Sequence, residues 1–354
     1  MNRKDLDLPI PYHSTFDVDD STKLQTFKVC QRKYFLEYVL GWRPEEPNVH
    51  LVFGQAWHEA MEILALSLKF GDGYTNDVVE AAWGRLTEVY REQFPPYMDE
   101  VNAPKNPGNA LIALTEYSEQ YKHDDFDVLY TEVAGTAPLK IEDGEVTRKI
   151  HFKVDTIIDD EDGFWSLEHK TSSRKSQSWI DQWSLKTQVG TYTHALYCLL
   201  NPRDVQGLKI NGAFLRKQTK SGKGNDFARY PIRKSKADMQ DWLWTTNHWI
   251  DQVDWNFQQL ARVSPEDDLL MAFPKNTESC TKYGTCKYFH ICTAWQNPLQ
   301  HLDHPPVGFH VDRWDPREKE DEATFVAKAT AAGKVELTKR EQDEQGKDKE
   351  TLDS

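Results

Sequence analysis

A chain of 354 residues with 57 acids, 43 lysines and arginines and a net charge of −14 can hold one large domain, or a core with a helical subdomain. No apolar run is long enough to cross a membrane and no signal-peptide pattern opens the chain, so we expect a cytoplasmic protein in a reducing compartment. A net charge of −14 is unusual for a protein that holds a polyanion, and an acidic body with one local basic strip would limit nonspecific binding to nucleic acid.

In chain order, residues 1–20 look irregular, and residues 22–40 predict a helix with Ser21 as its cap and Cys30 inside it. Residues 51–122 read as mostly helical, broken at Phe94-Pro95-Pro96 and over 104–108. Within 52–70, Trp57, Met61, Leu64 and Leu68 recur at helical spacing, which puts His58 one turn from Gly54 and Glu62. A histidine so placed is either structural or a ligand. A sheet region follows over 127–233. Glu132, in the run 128–133, is either an early strand acid near a site or an ordinary surface glutamate.

The segment 149–170 is the most informative. Residues 149–158 alternate, with Phe152 and Val154 opposed to His151, Lys153 and Asp155; residues 164–170 alternate too, with Trp165 and Leu167 opposed to Ser166, Glu168 and Lys170. Asp160-Glu161-Asp162-Gly163 between them predicts a hairpin. A turn centred on Glu161-Asp162 puts Asp155 across from Glu168; one centred on Asp162-Gly163 puts it across from Lys170. Either register gathers Asp155, Glu168 and Lys170 on one face. Two carboxylates about 5 Å apart repel unless a cation intervenes, which points to Mg²⁺ or Mn²⁺ with oxygen ligands. A solvated hairpin face is the alternative.

Further on, residues 179–200 predict a helix on which Gln188 and Tyr192 share a face, with Cys198 in an apolar stretch as a buried thiol. Gln188 there would orient a phosphate or the lysine, and Tyr192 could stack or donate. Residues 216–236 carry eight lysines and arginines against Asp226 alone, and read as two strands around a Ser-Gly-Lys-Gly tip that could grip phosphates. Twelve tryptophans offer stacking platforms, though most should pack in the core. A helix over 237–263 leads to Cys280, Cys286 and Cys292, spaced with five residues between neighbours. With no CxxC knuckle, these three and Cys30 suit an iron–sulfur cluster; zinc completed by His290, His301 or His304 is the alternative. Beyond 315 the charge-rich chain predicts disorder or a partner-binding arm.

The ordered series now carries a resemblance. Cys30 with Arg32, Lys33 and Tyr34 behind it, His58 in FGQAWHEAMEIL, Asp155, the Glu168 and Lys170 pair, Gln188 with Tyr192, and the closing cysteines resemble the RecB-type branch of the PD-(D/E)XK nucleases in its iron–sulfur form. The resemblance spans residues 20–295, with Phe152 standing where relatives often carry glycine. It implies an α/β fold: a restriction-endonuclease-like mixed sheet flanked by helices, with a helical insert and iron–sulfur-stapled terminal regions. It implies a 4Fe-4S cluster on Cys30, Cys280, Cys286 and Cys292, and Mg²⁺ or Mn²⁺ held by His58, Asp155, Glu168 and a carbonyl near His169. Lys170 is expected to orient or help activate the attacking water, with Gln188 and Tyr192 as further catalytic residues. The activity implied is exonucleolytic hydrolysis of DNA, at ends or on single strands, in recombination, repair or phage DNA processing, with a recombination partner protein conceivable. A catalytically silent DNA-end or partner-binding module is the other class, against which intact Asp155, Glu168 and Lys170 speak. The expected division is an N-terminal segment (1–50), a helical subdomain (51–126), a nuclease core (127–262), a cysteine segment (263–314) and a disordered tail (315–354).

Overall fold

The computed structural model describes residues 3–217, 224–282 and 284–339. Helix α1 (Ser21–Val29) is capped by Asp20, whose side chain accepts from the Lys23 N–H, rather than by Ser21. It stops at Cys30, which is extended (φ −163°, ψ 117°); helical structure resumes over Gln31–Tyr34 and runs on as a π turn over Phe35–Val39. The single helix expected over 22–40 is broken because tertiary hydrogen bonds claim the chain there. The Arg32 N–H donates to Pro274 O at 3.1 Å, and its guanidinium donates to the carbonyls of Leu270, Phe273 and Gln296.

Three helices follow: α2 (Val49–Phe70), α3 (Asn76–Arg91) and α4 (Pro107–Gln120), capped in turn by Asn48, Thr75 and Asn106. Their apolar faces enclose a core of their own, with Phe53, Trp57, Leu64, Leu86, Tyr90 and Leu114 among its residues. Ala213, Leu215 and Phe227 join that core from the sheet side, which fixes the helical layer onto the sheet.

The sheet is built from β1 (Asp127–Glu142), β2 (Glu145–Asp160), β3 (Gly163–Ser172), β4 (Val205–Phe214) and β5 (Asp226–Arg233). Helix α5 (Thr187–Leu199) forms the crossover between the parallel strands β3 and β4. The helix expected over 179–200 is thus shorter: Gln177–Asp181 and a 3-10 turn over Gln182–Leu185 precede it, and Lys186 between them is extended. Helix α6 (Lys236–Leu260) starts from a capping box of Ser235 and Asp238. Val189, Tyr192, Ala195 and Leu196 of α5 pack with Val133, Ile157, Leu208 and Ile210 of the strands and with Val253 and Phe257 of α6. Helices therefore cover both faces of a mixed sheet.

The segment expected to be disordered is not so over its first part. A short helix at Glu318–Glu322 leads into β6 (Phe325–Ala329) and β7 (Val335–Lys339), and the sheet order becomes β5-β4-β3-β2-β1-β6-β7. The edge of β1 supplies the partner that the charged sequence does not advertise: β6 runs parallel to it, with Gly135 opposite Ala327. A Cβ on Gly135 would lie 1.8 Å from Ala327 O, so only glycine admits this strand. Residues 340–354 and the basic tip at 218–223 lie outside the described residues.

Candidate active site

Asp160 pairs with Gly163 and Thr156 with Leu167, so the hairpin turn is centred on Glu161-Asp162. The ladder's last pair is Thr156 with Leu167, and the strands part just before Asp155 and Glu168, the next residues in that register. The His169 N–H donates to Asp155 Oδ2 at 2.9 Å in place of a strand carbonyl. The solvated face weighed for this hairpin is absent: Val154, Asp155, Thr156, Ile157 and Ile158 are all buried, as are Trp165, Ser166, Leu167, Glu168 and His169. Phe152 and Val154 belong to the main core, whereas Trp165 and Leu167 pack with Ile158 and with Ala65 of α2, so the four apolar residues do not form one patch.

Helix α2 brings His58 to this point, with Nδ1 3.0 Å from Asp155 Oδ2. Lys170 Nζ donates to Glu168 Oε1. From the other side, Gln188 Nε2 on α5 donates to the same Oε1 at 2.8 Å and to Tyr192 Oη at 3.0 Å. Gln188 therefore holds the glutamate rather than the lysine. Tyr192 is buried, so the base-stacking role considered for it does not fit. Among the described residues, the buried Glu168 Oε2 finds no hydrogen-bond partner.

The electrostatics follow from burial and proximity. Burial and the adjacent Asp155 charge push Glu168 up to about 7, against the pull of Lys170 and His58. Burial would also raise Asp155, but His58, His169 and Lys170 together hold it well below the usual carboxylate range. Burial would lower His58, yet Asp155 raises it. The His169 side chain is a different case: burial pushes it down to about 3, and its Nδ1 accepts from Asn211 Nδ2 at 2.8 Å. Its ring lies edge to face with that of His58, centres 6.1 Å apart, while its backbone N–H donates to Asp155.

Glu132 lies in the same neighbourhood. Its backbone is left-handed (φ 47°), it is skipped between the pairs Thr131–Thr156 and Val133–Val154, and its carboxylate meets Lys153 Nζ at 2.6 Å. Burial raises it to about 7, with Lys153 pulling down and Asp155 pushing up. Sequence reasoning missed the network behind His169, in which Asn211 Nδ2 also donates to Tyr117 Oη and Arg229 pairs with Asp124 at 2.7 Å. Its members come from α4, β4, β5 and a loop, and no local spacing marks them.

Three of the eight cations of the basic strip have an acid partner among the described residues. Besides Arg229, which is paired in the interior, Arg233 meets Asp162 at 2.7 Å and Arg216 approaches Asp226 at 3.9 Å, both at the surface. Trp244 and Trp255 are exposed on α6, whereas Trp57, Trp165, Trp183 and Trp242 pack inside.

The break in the first helix places Cys30 against the C-terminal segment, where the Asn276 N–H donates to its Sγ at 3.4 Å. The Cys286 N–H donates to Cys280 O at 2.8 Å. Burial raises the Cys292 thiol to about 11, and Arg32, Cys30, Lys275 and Cys286 act on it in turn; burial, then Cys286 and Cys30, raises Cys280. All four thiols are free and share one neighbourhood, and Cys198 stands apart beside His194. Among the described residues, no three histidines, cysteines or acids close into a metal-holding group, either here or at Asp155. His301 stacks on Trp295 at 4.1 Å instead of joining the cysteines. No helix among the described residues is long and apolar enough to cross a membrane.

A mixed sheet covered by helices, with an acid pair and a lysine where two strands part, defines a class of phosphodiesterase fold. The family model of the PD-(D/E)XK nuclease superfamily matches residues 21–293, and the chain belongs to that superfamily. No curated protein matches the chain. Among solved structures, it is similar to a protein from Eubacterium rectale described by name as a candidate exonuclease, at 14% identity and a TM-score of 0.42, over 71% of this chain and 85% of that one. That likeness is too remote to assign anything to this chain.

Proposed function

We propose that the chain is a metal-dependent deoxyribonuclease that degrades DNA from its ends. The observation that carries this reading is the buried Glu168 Oε2, which finds no partner among the described residues, with the Asp155 carboxylate nearby. An orphaned carboxylate oxygen next to a second acid fits a hard divalent cation. His58, Asp155, Glu168 and the main-chain carbonyl of His169 would hold Mg²⁺ or Mn²⁺. When bound, the cation supplies positive charge at the scissile phosphate and acidifies a water.

The chain's own groups do the rest. The His169 N–H and His58 fix Asp155, and Gln188 fixes Glu168, so neither acid needs to reorganise when substrate arrives. Lys170 is kept protonated by Glu168 and Asp155, which outweigh its burial. Its ammonium is therefore a charge donor to the attacked phosphate and to an incoming water, not a base. Cys30, Cys280, Cys286 and Cys292 would hold a 4Fe-4S cluster. Four free thiols with Arg32 and Lys275 beside them suit its negative charge. Bound there, it would tie the first helical segment to the C-terminal one.

Matched linear and circular single-stranded DNA, given with Mn²⁺, tests the end dependence. Loss of the linear strand with the circle intact is the expected result. Cutting of the circle at an equal rate would make the protein an endonuclease, and binding without cutting of either would favour a capture module.

A further inference from the structure

Lys105 lies on the turn before α4 and is only 6% exposed. Its Nζ is 3.4 Å from Thr171 Oγ1 and 5.9 Å from the ring centre of Phe53. Among the described residues no carboxylate pairs with it, and burial pushes the ammonium down to about 8, which leaves it mostly charged at neutral pH. Buried lysines are normally paired, because an isolated charge loses its hydration for nothing. Thr171 follows Lys170 directly, so this unpaired cation is held between α2 and the end of β3, next to the candidate active site.

The surface of α2 beside it carries a second anomaly. Gly54 lies one turn from both His50 and His58. A glycine in a helix interior is costly relative to alanine, and it is usually kept where a side chain would collide. A Cβ at Gly54 would meet nothing within 4 Å. Packing of the free protein thus gives no reason for it. Its neighbour Phe53 carries Lys105 over its ring, and His50 is lowered by burial first and by Lys105 second. His58 thus lies near Lys170 and His50 near Lys105, with Gly54 midway between the two histidines on α2.

We propose that Lys105 and the bare helix surface at Gly54 form a second phosphate subsite, which takes the phosphodiester group next to the scissile one on the bound strand. The proposal rests on the nuclease reading and names how that site holds its substrate. Glycine lets the sugar–phosphate backbone approach the helix closely, and the lysine, already stripped of water, gains the anion it lacks. Both features weaken the free protein and repay that on binding.

This combination gives an unusual signature. Lys105→Met and Gly54→Ala should each raise the melting temperature while weakening the hold on DNA. The experiment uses the full chain, end-labelled single-stranded DNA with Mn²⁺ for kinetics, and Ca²⁺ in its place for binding. In Lys105→Met, KM should rise about 10-fold with kcat nearly unchanged. The slope of log K against log salt should lessen by about 0.7, one phosphate contact on a single strand. If Lys105→Met does not fold, Gly54→Ala decides alone, through a raised KM in a more stable protein. Cutting with KM and salt slope as in wild type overturns the subsite and leaves the nuclease reading standing. A lower melting temperature in both variants also overturns it, since the positions would then be structural. A wild-type protein that neither binds nor cuts DNA overturns both readings.

Discussion

Glu168 is the residue on which the chemistry turns, and its cost is visible without any ligand. Its proton affinity is raised from an ordinary 4.5 to about 7. Between those values the folded protein keeps a proton that the unfolded chain has released, so the contribution to stability falls as pH rises through this window. Glu132, also raised by its burial, adds to the effect in the same direction. Asp155 works oppositely: its depressed value stabilises the fold above its ordinary 3.8 and loses that as pH falls below it. We therefore expect the metal-free protein to melt higher at pH 5 than at pH 7.5, and Mn²⁺ to raise the melting temperature more at pH 7.5. Thermal melts at both values, with and without Mn²⁺, check this, and a metal effect that is larger at pH 5 would contradict it. The sequence showed that Asp155, Glu168 and Lys170 share a face, because strand side chains repeat every two residues. It left open which of them face each other, since that depends on one residue of turn register.

At the scale of elements, α2, β2, β3 and α5 converge on one point, and each contributes through a different logic. The helix over 52–70 and the hairpin were legible because their apolar periods are long and clean. The contact of His58 with Asp155 was not, because nothing local links residues so far apart in the chain. The strands β6 and β7 were hidden by composition: FVAKA and VELTK are short, lie in a charged stretch and gain their stability from the edge of β1. Gly135 is the position that admits them. Gly135→Ala should cost about 3 kcal/mol through the clash with Ala327 and free the C-terminal strands first. Chemical denaturation combined with limited proteolysis around residues 316–339 checks it; a variant as stable and as resistant as wild type would contradict it.

For the whole molecule, the segment over 30–44 is tied to the segment over 270–311. Trp42–Pro44 pairs with Phe309–Val311, Arg32 binds three carbonyls beyond residue 269, and Cys30 meets Asn276. The cysteines suggested this tie from sequence, since Cys30 is remote from the other three, but the break in the helix that aims Cys30 was not foreseeable from a continuous helical pattern. If the four thiols hold a 4Fe-4S cluster, Cys280→Ala should lose iron and visible absorbance and lower the melting temperature, with activity following stability. A variant that melts as wild type does while losing cutting would contradict the staple role. The central claim is that Asp155, Glu168 and Lys170 perform metal-dependent hydrolysis of DNA. It is tested most directly by following end-labelled single- and double-stranded DNA with Mn²⁺, Mg²⁺ or chelator, for wild type, Glu168→Gln and Lys170→Ala side by side. Wild type should degrade the DNA, chelator should abolish that, and each substitution should lower it by at least about 100-fold. Degradation that persists in chelator, or in both variants, would contradict it.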